Sequence, residues 1–209
     1  MHTRTRGRVA TGAFAVTLAV LFSAGCGEYV RQSRSPSQLV IVRLETPATE
    51  IRELQGGTGI PGKLEEVAGF GVGPLNSDVN PVAQNRGRVV LRQILRDQGT
   101  TTAPTPLNDV TVTEYEVRYR LAGGRNTPGV DVPHPIRGGL TVTIQGGSTV
   151  TGEFELVRAI AKMEPPLAAL KNSSVVLTVI ADVTFYGRDQ AGNAVSVTGS
   201  VQINFADFA

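Results

Sequence analysis

Histidine is the residue most often used as a general base, and it is scarce in this chain. The 209-residue sequence holds two histidines, His2 and His134. His134 lies in TPGVDVPHPI, between two prolines, and Asp131, three residues earlier, could orient its imidazole ring. Neither a serine elbow nor a second metal ligand accompanies this pair in the sequence. We therefore predict a non-catalytic chain, and keep a weak hydrolase or enzyme accessory domain with a site near His134 as an alternative.

The loop around this histidine is conspicuous. The segment Arg125–Pro135, RNTPGVDVPHP, contains three prolines and carries Arg125, Asp131 and His134. A stiff exposed loop loses less conformational entropy on binding a partner. The segment is therefore either a binding loop that presents these three side chains or a structural corner between two sheets.

A glycine pattern at Gly57–Gly62 formally matches the dinucleotide-binding sequence GxGxxG. That motif needs a preceding strand and a following helix, which aim backbone amides at a pyrophosphate. Pro61 removes one of those amides, and neither flank has the required pattern. We predict a glycine loop and no cofactor.

Paired carboxylates occur at Glu114 and Glu116, on one face of a strand pattern, as in the acid and base pairs of glycoside hydrolases. Arg118 and Arg120 continue the same face. We therefore predict a solvated row of charges that neutralise one another.

Oxygen ligands for calcium could come from Asp189 and Asn193 in the last turn of the chain, with Asp131 and Asp182 as further candidates. Aspartate and asparagine are also common turn formers, so the turn explains Asp189 and Asn193 without an ion. We predict no metal, and keep a calcium-stabilised spacer as an alternative.

The first 26 residues have the order of an export signal. Three arginines, Arg4, Arg6 and Arg8, precede an uncharged apolar run from Val9 to Phe22. This run of 14 residues is shorter than the roughly 20 that span a bilayer. It ends in Ser23-Ala24-Gly25-Cys26, which resembles the bacterial lipobox, with Ser23 where that pattern prefers leucine. The resemblance implies cleavage after residue 25 and a lipid on Cys26, and several acyl chains would make a stable anchor.

Loss of the signal changes the charge of the chain. Removing residues 1–25 from 209 leaves 184 residues, and three arginines leave with no acidic residue, so the formal charge moves from +2 to −1. Phosphate backbones are bound by clustered positive charge, so we predict no nucleic-acid partner. Residues 26–37 are polar and aperiodic, which predicts a lipidated flexible tether before a domain at 38–209.

The most specific strand patterns are at the end of the chain. Val175–Tyr186 and Ala194–Phe205 are joined by GRDQAGN, a typical hairpin turn. The pair resembles the hairpins of immunoglobulin-like and fibronectin type III-like extracellular domains. Without a cysteine pair or a tryptophan, an antibody-type domain is excluded and the general architecture remains. The resemblance implies a mostly β fold, an immunoglobulin-like β-sandwich of about seven to eight strands with one short helical insertion.

Other segments complete this expectation. Val110–Leu121 alternates strictly, with Thr113, Tyr115 and Val117 predicted on the core face. The remaining predictions are strands at Gln38–Leu44 and Arg88–Arg96 (the latter with a helix as the alternative), a brief helix at Thr46–Leu54, a hairpin of Leu140–Ile144 with Thr149–Leu156, and one or two helical turns within Glu155–Leu170.

Together these patterns predict an extracytoplasmic lipoprotein anchored through the lipid on Cys26. The resemblance to other bacterial lipoproteins implies the outer membrane if the host has two membranes, because Gly27 stands where an inner-membrane retention signal has aspartate. As the export signal, spacer and sandwich carry no catalytic motif, we expect a binding or scaffolding module of the cell envelope. An envelope protein or a glycan is the expected partner. More loosely, the chain resembles small uncharacterised bacterial lipoproteins, a family that implies no activity.

Overall fold

The computed structural model of the chain describes residues 35–53, 64–80, 83–97 and 105–208, and the side chains of these residues except 49–53 and 64–68. The signal, Cys26, the tether up to residue 34 and the glycine motif at 57–62 lie outside the described residues. The predictions made for them stay predictions.

The described chain is mostly β-strand, as predicted. Its nine strands are β1 (Ser37–Glu53), β2 (Leu64–Gly71), β3 (Leu75–Asp78), β4 (Asn85–Leu95), β5 (Val110–Arg120), β6 (Ile136–Ile144), β7 (Thr149–Val157), β8 (Leu177–Asp189) and β9 (Ala194–Ala206). Short 3₁₀ turns lie at Pro106–Asn108, Ile160–Met163 and Leu167–Leu170. The last two confirm the helical turns predicted between the strands now named β7 and β8.

The strands form a sandwich of two sheets, in the orders β2-β1-β4-β7 and β3-β9-β8-β5-β6. Seven strands remain if the short flanking strands β2 and β3 are set aside. The first, second and fifth of these seven (β1, β4 and β7) form one sheet. The third, fourth, sixth and seventh (β5, β6, β8 and β9) form the other. This division is that of the immunoglobulin-like sandwich, apart from the fourth strand, which pairs with the third. The predicted fold class is confirmed.

Tyrosines of β5 join the two sheets through the core. Tyr119 Oη donates to the carbonyl of Leu156 on β7 at 2.7 Å, and Tyr115 Oη accepts from the amide of Glu155 at 3.1 Å. The Tyr115 ring packs edge-on against Phe154, with centroids 5.3 Å apart. These contacts fix β5 relative to the opposite sheet.

The strict alternation predicted for β5 is wrong at its beginning. The pairing of β5 with both β6 and β8 shifts between Val112 and Glu114, which is a β-bulge. Val112 is therefore buried and Thr113 exposed, although Thr113 was predicted on the core face. One extra residue in the strand lets both Val112 and Tyr115 point inward.

The predicted brief helix at 46–54 is wrong over the described part, because β1 continues to Glu53. Pairing of β1 with β4 ends at Glu45, and from Thr46 onward β1 pairs only with β2. Pro47 thus lies in a part of β1 that has a neighbouring strand on one side only. Proline is tolerated there because its missing amide hydrogen is not needed for pairing on the open side. The strand predicted at Arg88–Arg96 is confirmed as part of β4, and the predicted last hairpin is β8 and β9.

The hairpin predicted for β6 and β7 is wrong. β6 pairs with β5 and β7 pairs with β4, so the turn at Gly146-Gly147 carries the chain from one sheet to the other. The amide of Gly147 donates to Gln93 Oε1 at 2.8 Å, which holds this turn on β4. Alternation and turn glycines look the same in a hairpin and in such a corner.

Candidate functional site

The described chain enters the sandwich at one end, which we call the entry pole. It comprises Ser35–Ser37, the 3₁₀ turn at Pro106–Asn108, and the turns after β6 and β8. Ser35 Oγ donates to Asp189 Oδ2 at 2.7 Å, and Ser37 Oγ donates to the carbonyl of Asn108 at 2.6 Å. The first described residues are thereby fastened to the turn between β8 and β9.

Asp189 is the centre of this pole and is 4% exposed. Its carboxylate also accepts from the Asn193 amide at 2.8 Å and from Asn193 Nδ2 at 2.9 Å. Burial raises the pKa of this carboxyl, but the hydrogen bonds from Asn193 and Ser35 outweigh it and hold the pKa below its usual value. Asp189 is therefore an ionised turn residue with its oxygens taken by donors.

The four oxygen-bearing residues considered for calcium are not assembled into one site. Asp182 lies seven residues before Asp189 on β8, about 23 Å along the strand. It binds Arg120 and Ser200. Asp131 belongs to the loop after β5. Within residues 35–53, 64–80, 83–97 and 105–208, no three His, Cys, Asp or Glu side chains are grouped so that they could hold a metal ion.

Gln93 completes the polar interior of the entry pole and is fully buried. Its Nε2 donates to Ser37 Oγ at 3.0 Å, while its Oε1 accepts from Gly147. The side chain therefore joins β1, β4 and the turn between β6 and β7. A buried amide with all these partners fixes strand positions more strictly than an apolar side chain would.

The loop predicted to bind a partner lies at the opposite end, which we call the far pole. It is the end at which β5, β7 and β9 finish and β8 begins. Within the loop, the carbonyl of Thr127 accepts from the Asp131 amide at 2.9 Å, and Asp131 Oδ2 accepts from the Thr127 amide at 3.0 Å. These reciprocal hydrogen bonds give the loop a defined shape.

His134 is exposed and packs on Gly129, where an added Cβ would overlap its Nε2. Gly129 has φ +77, so glycine suits both the backbone and the ring. No hydrogen bond or ion pair joins Arg125, Asp131 and His134 in the part of the chain that is described. The three residues share one exposed loop but do not form a catalytic pair.

Large apolar side chains are exposed at the far pole. Six of the nine that are exposed among the described residues belong to the segments that start or end there: Val130, Ile160, Met163, Val175, Val176 and Phe208. Met163 is 60% exposed and Val130 is 67% exposed. Single exposed apolar residues are normal on a folded domain, and these six belong to segments at the same end of the sandwich.

In the 3₁₀ turn at Ile160–Met163, apolar side chains are exposed and a charged side chain is buried, the reverse of the usual pattern. Ile160 and Met163 face solvent, whereas Lys162 between them is only 2% exposed. Burial lowers the pKa of Lys162, and the charge of Asp78 opposes this effect. Lysine is almost never fully buried, because its ammonium loses hydration. The turn therefore combines a buried lysine with exposed apolar neighbours, a feature that sequence periodicity alone did not reveal.

The outer face of the β3-β9-β8-β5-β6 sheet carries a charged network. Glu116 accepts from Arg137 Nε at 3.3 Å and from Tyr186 Oη at 3.2 Å, and pairs with Arg118 at 3.0 Å. The hydrogen bond from Arg118, then those from Arg137 and Tyr186, lower the pKa of Glu116 against the effect of burial. The charges do neutralise one another, but Glu116 is only 6% exposed, so the predicted solvation is wrong for it.

A groove of about 510 Å³ opens beside this network. Its polar lining residues are Thr113, Glu114, Arg137, Tyr186, Arg188 and Ser196. Sequence reasoning missed this groove, because its lining residues come from four strands that are spread along the chain.

Comparisons of this chain with protein-family models, with curated proteins and with solved structures find no match. Over the described residues, no helix has the length and apolar character needed to cross a membrane.

Proposed function

We propose that this chain is an extracytoplasmic lipoprotein, anchored through a lipid on Cys26, that acts as a non-catalytic binding or scaffolding module of the bacterial envelope. In a host with two membranes it belongs to the outer one. Its partner is an envelope protein that docks on the far pole.

The anchoring half of the proposal is supported by sequence. A basic start, an uncharged apolar run and the small residues before Cys26 are in the order of a lipoprotein signal. Nine peptide units separate Cys26 from Ser35, which limits their distance to about 32 Å. The entry pole is thus the part of the sandwich with the shortest covalent connection to the lipid.

The binding half of the proposal is supported by the chemistry of the far pole. β8 extends 12 residue steps from Leu177 at that pole to Asp189, about 40 Å. A flexible tether at one pole leaves the other pole free to contact a partner. The observation that carries the proposal is the turn at Ile160–Met163, which buries a lysine and exposes its apolar neighbours. A partner that covers Ile160 and Met163 would recover their burial free energy.

The test is chemical cross-linking in the native host. The chain is recovered with an antibody to the folded domain, and its adducts are identified by mass spectrometry, with Cys26→Ala as the unanchored control. We expect one reproducible envelope protein with the anchored chain and its loss in the control. Original chain whose Cys26 carries no acyl group by mass spectrometry would contradict the anchor, and anchored chain without an adduct would contradict the scaffold.

Two other functions have separate tests. Loss of an assigned hydrolytic activity in His134→Ala would favour an enzyme accessory role. A melting temperature that falls on addition of a chelator would favour a calcium-stabilised spacer, since removal of a bound ion destabilises the folded state.

A further inference from the structure

The backbones of β5 and β8 lie unusually close together at the groove on the sheet face. At its base, the bulged part of β5 lies directly against Gly187 of β8. An added Cβ at Gly187 would lie 2.5 Å from the carbonyl oxygen of Thr111 and 2.9 Å from Val112 Cα. Gly187 lines the groove, and the bulge brings Thr113 and Glu114 of β5 to its edge. Its volume of about 510 Å³ lies within the range of ligand pockets, about 300–1,000 Å³.

Two guanidinium groups and one carboxylate line the groove, so its lining has a net positive charge. Arg137 is paired with Glu114 at 3.4 Å and with Glu116 at 3.3 Å. Arg188 donates to the carbonyl of Gly192 at 2.9 Å and makes no ion pair with any other described residue. Arg188 is therefore the cation of the groove that is free to pair with a ligand's carboxylate.

The rest of the lining suits hydroxyl groups. Thr113, Tyr186 and Ser196 contribute hydroxyls, and Glu114, whose side chain is 44% exposed, can accept hydrogen bonds. Glu114 would also repel a ligand with dense negative charge. The hydrogen bond from Tyr186 to Glu116 holds the Tyr186 ring in place, which gives a sugar ring a preorganised surface.

We propose that this groove binds an acidic saccharide, with a sugar carboxylate on Arg188 and a sugar ring against Tyr186. The ligand carries isolated carboxylates among hydroxyls, which is the pattern that Arg188, Glu114 and the hydroxyl lining match together. The groove lies on the sheet face and is separate from the far pole. The inference therefore goes beyond the proposed function, and failure of one leaves the other standing.

The test is calorimetric titration of the full chain, in nonionic detergent, with a trisaccharide of galacturonic acid. The neutral comparison is the same trisaccharide with its carboxylates reduced to hydroxymethyl groups. We expect saturable binding of the acidic trisaccharide and at least tenfold weaker binding of the neutral one. Equal affinities, or no binding at millimolar concentration, would overturn the proposal.

Variants locate the binding. Arg188→Ala should weaken binding at least tenfold, and Arg188→Lys less, because lysine keeps the charge without the planar fork. The matched control is Arg120→Ala on the same sheet face, whose arginine pairs with Asp182 and does not line the groove. Equal affinities of Arg188→Ala and Arg120→Ala would overturn the assignment. Inorganic phosphate that binds as tightly as the trisaccharide would reduce the site to a simple anion site and contradict a saccharide.

Discussion

The two poles of this sandwich treat polar and apolar groups in opposite ways. At the entry pole, Asp189 and Gln93 are buried and hydrogen-bonded to the chain around them. At the far pole, Ile160 and Met163 are exposed while Lys162 is buried. The entry pole holds the first described residues against the turn between β8 and β9.

The entry pole and the loop after β5 also differ in how far apart in sequence their hydrogen-bonded residues lie. Hydrogen bonds of the entry pole join residues distant in sequence, such as Ser35 to Asp189 and Gln93 to Gly147. Those of the loop after β5 are local, such as Thr127 with Asp131. We therefore expect a change at the entry pole to disturb several strands at once, and a change in the loop after β5 to stay local.

The largest effect is expected for Asp189→Ala. The change removes a buried ionised acceptor and leaves Ser35 and Asn193 donors unpaired, so the free energy of unfolding should fall by about 3 kcal/mol. Urea denaturation measures it. Asp207→Ala is the control, because Asp207 accepts from the exposed Asn172 amide near the far pole and should cost under about 1 kcal/mol. Equal losses would remove the distinction between the poles.

The same variant has a pH signature. The folded pKa of Asp189 is lowered, so its stabilisation is complete above its unfolded pKa of about 3.9 and is lost as the pH falls through the folded pKa. The difference in the free energy of unfolding between the original chain and Asp189→Ala should therefore narrow as the pH falls from about 5 to about 2, the range in which aspartate titrates. A gap that is constant with pH would show that ionised Asp189 is not its source.

A smaller loss is expected for Gln93→Leu. The apolar replacement leaves the Gly147 amide and the Ser37 hydroxyl without their buried partner, so the free energy of unfolding should fall by about 2 kcal/mol. Gln202→Leu on the exposed sheet face is its control, with an expected change within about 0.5 kcal/mol. A neutral Gln93→Leu would mean that the turn between β6 and β7 is held by other contacts.

An effect of opposite sign is expected at the far pole. Lys162→Met removes the desolvated ammonium and keeps the apolar stem, so stability should rise by about 1 kcal/mol. Lys171→Met, at a less buried lysine after the turn Leu167–Leu170, should change stability by less than about 0.5 kcal/mol. Thermal and urea denaturation of the two variants decide this, and a destabilised Lys162→Met would mean that the lysine is needed for the fold.

The smallest effect on stability is expected for Met163→Ser. The side chain is already exposed, so the free energy of unfolding should change by less than about 0.5 kcal/mol. The yield of the cross-linked envelope partner should nevertheless fall at least fivefold, because the partner loses an apolar contact. An unchanged yield would remove Met163 from the docking surface.

The sequence predicted those features of the fold that alternation and turn residues determine. The alternation in β8 and β9, with GRDQAGN between them, predicted their hairpin correctly. The same kind of reasoning failed at Gly146-Gly147, because the sheet joined by each strand depends on distant partners. It failed again at Thr113, where a bulge shifts the alternation by one residue.

The candidate sites were predictable only in part. The loop with Arg125, Asp131 and His134 was visible in the sequence because its prolines and glycines lie close together. The groove and the reversed turn were not visible. Arg137 and Arg188 meet only through the pairing of β5 with β6 and β8, and the burial of Lys162 depends on what packs over it.

The most direct test of the two-pole account is site-specific photo-cross-linking in the native host. A photoreactive amino acid is introduced at Met163 on the far pole or at the exposed Gln190 on the entry pole. We expect an adduct with one envelope protein from position 163, none from position 190, and loss of the adduct when Cys26→Ala is added. An adduct from position 190 alone, equal adducts from both positions, or an adduct that persists without Cys26 would contradict it.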